Sequence, residues 1–159
     1  MINVKLIALG NLKESYLREA FEEYAKRLSA FCRFECVELK EYRLPENPSG
    51  VEINTALEDE AKRILSLFSP RAYKIALCIE GKQFSSEELS QKIDEATNHA
   101  SEIVFVIGSS HGLSDRVKAA CDLRLSISKM TFPHQLMRVI MAESIYRSFS
   151  ISKGTKYHK

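Results

Sequence analysis

No apolar run in this chain approaches the roughly 18 residues that crossing a bilayer requires, and the opening Met1-Ile2-Asn3-Val4-Lys5 does not start a signal peptide. A cytoplasmic protein with no membrane partner is therefore expected. No C-x-x-C pair links the four cysteines, Cys32, Cys36, Cys78 and Cys121, which lie in apolar or mixed stretches and read as small buried hydrophobes. The four histidines, at 99, 111, 134 and 158, fall at no metal-ligand spacing, so no metal is expected. Repeats, low-complexity tracts and long linkers are also missing. One domain spanning residues 1–159 follows, large enough to bury one substantial core at 45% hydrophobic residues.

Acidic residues are scarcest at the C-terminal end. Lys129 to Lys159 contains six of the chain's 23 Lys and Arg but only one acid, Glu143. The remainder is mildly acidic, so the formal charge of +2 hides an asymmetry. A basic end on an acidic body is the footprint expected for a phosphate-bearing partner, although many solvated C-terminal helices look the same.

Apolar periodicity alternates between two kinds of segment. Ile2 to Leu9 reads as a strand ended by Gly10, and Tyr16, Leu17, Ala20, Phe21, Tyr24 and Leu28 share one helical face. Phe31 to Leu39 returns to strand, with Cys32, Phe34 and Cys36 on one side. Glu41 to Gly50 is a loop, and a helix carries Ile53, Leu57, Ala61, Ile64, Leu65 and Phe68 as far as Pro70. Tyr73 to Ile79 is the next strand. Ser85-x-x-Glu88 is a capping box for a helix to about Asn98, and Ile103 to Ile107 is a buried strand. Ser114 suits the cap of a short helix, Leu123 to Ile127 a fifth strand, and a long final helix runs from about Pro133 or His134 to Phe149, with Pro133 suited to its first turn. Such alternation predicts an α/β fold, a parallel sheet with helices on both faces.

Ligands of such sheets sit beyond the carboxyl ends of the strands. Three loops there look prepared: Leu77 to Lys82, Val106 to Leu113 and Ser126 to Phe132. Gly108 and Gly112 allow close backbone approach, but they match neither G-x-G-x-x-G nor a P-loop, so no nucleotide-phosphate site is indicated.

In this order the loops resemble those of the ribosomal RNA large subunit methyltransferase H family of the SPOUT superfamily. The resemblance rests on Ile7-Ala8-Leu9-Gly10, on the F-V-I-G-x-x-x-G-L block from Phe105 to Leu113, and on the S-x-S-K-M-T-F-P-H-Q-L-M-R-V block from Ser126 to Val139. Glu143 to Arg147 and Tyr157-His158-Lys159 extend it over essentially the whole chain. It implies a SPOUT-type sheet with a C-terminal trefoil knot, a homodimer, and S-adenosylmethionine-dependent methylation of N3 of a pseudouridine in 23S ribosomal RNA, with the ribosome or its large subunit, and no DNA, as partner. Leu77, Gly108 and the run Ile127, Ser128, Lys129, Met130, Thr131 and Phe132 would hold the cofactor. One departure is notable. The family usually reads I-G-G where this chain has Ile107-Gly108-Ser109, which questions any conformation needing glycine at the second position.

Methylating an imide nitrogen requires loss of its proton, and a cation near the ring oxygens stabilises the anion. Arg138, one turn beyond His134, is the candidate cation, and it suits a phosphate contact or a brace for the knot equally well. His134, an imidazole, suits a proton relay or a structural cap. Tyr157, His158 and Lys159 form a stacking and phosphate-contact unit for an unpaired base. Two other readings remain at this level: a SPOUT enzyme for another RNA such as transfer RNA, and a non-catalytic ribosome-binding factor.

Overall fold

The computed structural model describes residues 1–158. Five strands, β1 (Asn3–Leu9), β2 (Arg33–Leu39), β3 (Ala72–Gln83), β4 (Glu102–Ile107) and β5 (Leu123–Ser126), form one sheet in the order β2-β1-β4-β3-β5, with every pairing parallel. Five helices alternate with them: α1 (Ser15–Leu28), α2 (Gly50–Ser66), α3 (Ser86–Thr97), α4 (Asp115–Ala120) and α5 (His134–Ser152).

The central strands are apolar on both sides, as a doubly covered parallel sheet requires. Val4 and Leu6 of β1, with Ile103, Phe105 and Ile107 of β4, pack against Leu28 of α1, Leu89 and Ile93 of α3, and Met141, Ile145 and Phe149 of α5. On the opposite face Ile7, Leu9, Val104 and Val106 pack against Ala61 and Ile64 of α2 and Val117 of α4. Helices thus cover both faces as the periodicity predicts. Cys32, Phe34 and Cys36 join the first cluster, and burial pushes the thiols of Cys32 and Cys36 up to about 12 and about 11, which makes them inert.

Three boundaries differ from expectation. A second capping box, with Ser49 accepting from Glu52 N–H and the Glu52 carboxylate accepting from Ser49 N–H, starts α2 at Gly50, three residues before Ile53, where the expected apolar face begins. The final helix starts at His134, within the expected bounds, with Pro133 just outside it at an extended ψ of 136° and its carbonyl accepting from Met137 N–H, but it ends at Ser152 and not at Phe149. The third difference is β3, which runs beyond Ile79 to Gln83. Leu125 of β5 pairs first with Leu77 and again with Lys82, so residues 78–81 bulge outward between the two pairings.

Gly81 permits that bulge. A Cβ at this position would lie 2.7 Å from the Leu125 carbonyl carbon and 2.8 Å from that of Arg124, both backbone atoms of β5. Gly81→Ala is expected to destabilise the protein by about 1–3 kcal/mol, the usual cost of overpacking, read as a lowered midpoint in urea unfolding. An unchanged midpoint would show that β5 is free to move away.

Candidate active site

Three loops leave the carboxyl ends of β3, β4 and β5 and converge with the start of α5 around one cavity of about 740 Å³. That volume is ordinary for a small-molecule site. Leu77, Ile107, Leu125, Ile127, Phe132 and Met137 make much of its wall apolar. Leu77, Gly108, Ile127, Ser128, Met130, Thr131 and Phe132, all expected from the sequence, line it, whereas Lys129 does not. Cys78, Ile79 and Glu80 enter from the β3 bulge and Lys118 from α4. Lys118 escaped the sequence reading because a six-residue helix is too short to show which side faces a ligand.

Each loop has a local reason for its shape. Gly112 adopts φ +80°, its N–H donates to the Ser109 carbonyl at 2.9 Å, and the two residues form an isolated antiparallel bridge. The loop therefore folds back on Gly108 so closely that a Cβ there would sit 2.3 Å from the Gly112 oxygen. Glycine is required at 108 and 112 but not at 109, where Ser109 keeps an ordinary negative φ; its Oγ accepts from His111 N–H at 3.4 Å. The departure from I-G-G is thus accommodated without strain. In the third loop the Ser126 hydroxyl donates to the Ser128 carbonyl at 3.1 Å and Ser128 Oγ accepts from Met130 N–H at 3.0 Å, which fixes the turn under Met130.

Arg138 is placed differently from a substrate cation. It is 1% exposed, pairs with Glu38 of β2, and donates through Nη2 to the Gly10 carbonyl at 2.9 Å and the Leu9 carbonyl at 3.4 Å. Its guanidinium ties α5 to the ends of β1 and β2, and any contact with substrate would require this network to open. His134 lies at the cavity edge with Nε2 3.2 Å from Glu41 Oε1.

The tail is folded back on its own helix. The Tyr157 ring meets Tyr146 edge-on with centroids 4.8 Å apart, lies under the Arg147 guanidinium at 4.8 Å, and donates its hydroxyl to Glu143 at 3.1 Å. Burial raises its pKa. His158 sits between Arg147, 3.0 Å from Nδ1, and Glu87 of α3, 2.7 Å from Nε2. Neither residue is among those lining the cavity, and Lys159 lies outside the described residues.

A parallel sheet whose switch-point loops enclose a mostly apolar cavity defines a small-molecule-binding α/β protein. The family described as predicted SPOUT methyltransferase matches residues 2–158, and the chain belongs to that family. It is 48% identical over 159 residues to a protein of Leuconostoc mesenteroides subsp. mesenteroides, with 99% of this chain and all of the relative covered. Relatives from Streptococcus thermophilus and Latilactobacillus sakei are 47% and 46% identical at the same coverage. All three bear the name ribosomal RNA large subunit methyltransferase H. A solved structure of a probable methylase family protein from Haemophilus influenzae Rd KW20 shares the fold, with a TM-score of 0.54 at 13% identity, covering 99% of this chain and 71% of that one.

Proposed function

We propose that this chain is an S-adenosylmethionine-dependent methyltransferase that modifies N3 of a pseudouridine in 23S ribosomal RNA, acting in the cytoplasm on the ribosome or its large subunit. The observation that carries this reading is the convergence of all three matched loops on one cavity, in a chain collinear with relatives named for that activity. The cavity suits the cofactor: its apolar walls can cover a flat heteroaromatic base and a thioether, and its loops can offer backbone donors and acceptors to a base edge. Bound there, S-adenosylmethionine supplies an electrophilic methyl group on a sulfonium.

The chain's own part is to position and to manage one proton. Leu77, Gly108 and the loop 127–132 hold the donor, and alignment of the two reactants can contribute several kcal/mol of rate enhancement. His134, at the edge of the cavity with its Nε2 3.2 Å from Glu41 Oε1, accepts the imide proton. Arg138 serves as a positioning residue that anchors α5, and so the loop before it, to the sheet. In this reading the loop after β5 and the final helix thread the loop after β4 as a trefoil knot.

Tyr157, His158 and Lys159 face the RNA, and they do so from the second subunit of a homodimer. Two observations favour this arrangement: within one chain Tyr157 docks on α5 and His158 between α5 and α3, neither at the cavity, and Tyr16, Met130 and Leu136 leave apolar surface for a second copy to cover. Deleting Tyr157 to Lys159 should lower methylation about tenfold to a hundredfold, as loss of base stacking does, with donor affinity nearly unchanged. Unaltered turnover would remove the tail from the site. The function itself is tested by mass spectrometry of 23S ribosomal RNA from cells with and without the protein. One methyl group missing from a pseudouridine is the expected result, and activity confined to free transfer RNA would overturn it.

A further inference from the structure

The cavity contains one structural feature that binding of an adenine does not use. Among the described residues lining it, Glu80 is the only carboxylate and Lys118 the only lysine or arginine, and the two are paired with each other. The pair joins elements far apart in sequence, the β3 bulge and α4. Its halves differ in freedom. The Lys118 side chain is 15% exposed and set on a helix, whereas that of Glu80 is 55% exposed on the bulge. An ion pair of this kind contributes little to folding, because solvent screens the open partner.

We infer that Glu80 and Lys118 together form a receptor for an amino-acid zwitterion, Lys118 taking the α-carboxylate of the methyl donor and Glu80 its α-ammonium. This inference rests on the donor reading above and names the part of the donor that the apolar walls leave unaccounted for. An opposed pair of charges in an otherwise uncharged wall complements a ligand end that carries the same two charges in reverse. The internal pair then opens into two pairs with ligand, so no charge is left alone in the cavity. A ligand end bearing a single charge would strand one partner, and one bearing none would leave the pair closed. Ionisation of Glu80 agrees with the geometry: the hydrogen bond from Lys118 holds its carboxyl below the usual range, with Arg124 of β5 adding a weaker pull.

The test compares two probes by calorimetric titration of the intact protein. S-adenosylhomocysteine carries the zwitterion; 5′-methylthioadenosine has the same adenosine and a thioether but no amino acid. Lys118→Met and Glu80→Gln should each weaken S-adenosylhomocysteine about tenfold to a hundredfold while methylthioadenosine stays within about twofold. Lys118→Arg, which keeps the charge, should recover much of the loss. Retained methylthioadenosine binding certifies a folded cavity, and Glu80→Gln, on an exposed side chain, carries the test should Lys118→Met fail to fold. Equal losses for both probes, as a carboxylate contact to the ribose hydroxyls would give, overturn the inference, as does no loss for either. If the unaltered protein binds neither probe, the donor reading falls and this inference with it.

Discussion

Gly108→Ala should yield a protein with no measurable donor binding and no methylation. The added methyl would stand 2.3 Å from the Gly112 oxygen, 2.5 Å from its carbonyl carbon and 3.0 Å from Leu113 nitrogen. All three are backbone atoms, and none can turn aside as the end of a long side chain would. The loop must therefore open, breaking the 2.9 Å bond from Gly112 N–H to the Ser109 carbonyl and moving the wall between β4 and α4. Overpacking of this kind costs about 1–3 kcal/mol, but affinity should suffer more than folding because the displaced atoms line the cavity. Titration with S-adenosylhomocysteine beside a thermal melt separates the two. Affinity within threefold of the unaltered protein would show that the loop accommodates a side chain.

Arg138→Ala should cost about 2–5 kcal/mol of stability, as truncating a large buried side chain and leaving its backbone acceptors unpaired does. At 1% exposure the guanidinium cannot be replaced by bulk water. Its removal leaves the Gly10 and Leu9 carbonyls without their donor and Glu38 without its partner, and it opens a void between α5 and the sheet. With total stabilities of about 5–15 kcal/mol typical, such a loss removes a substantial part of the folding margin. Arg138→Lys should recover only part of the loss, since an ammonium lacks the planar fork that reaches Glu38 and Gly10 together. Urea unfolding monitored by circular dichroism gives the values. A change below 1 kcal/mol for Arg138→Ala would mean that the network is dispensable.

Strand and helix order was legible because the signals are local. Ile103 to Ile107 is buried on both sides, and such a run has few alternatives beside a glycine turn. The Ser85–Glu88 box announced α3, and the same chemistry at Ser49–Glu52 went unread because two prolines and a glycine around it suggested loop throughout. What stayed hidden was long-range. The double pairing of Leu125 depends on β5 lying beside β3, although β4 separates them in sequence, and no local pattern reports that neighbour. The surroundings of Arg138 were concealed for the same reason. A charged residue one turn from His134 suggests an exposed functional face, and only the tertiary structure brings Glu38 and the end of β1 around it, 100 or more residues away. The cavity residues were legible through motif resemblance, while Lys118, outside every motif, was not.

The strand order also governs when the site comes into being. β5 is a four-residue edge strand held on β3, and the loop between it and α5 supplies one side of the cavity. During synthesis the first four strands can pair and be covered by α1 to α4 while that side is still missing. It closes only after α5 has been made and has packed against α1 and α3. The nascent protein thus has no closed cavity until α5 is in place.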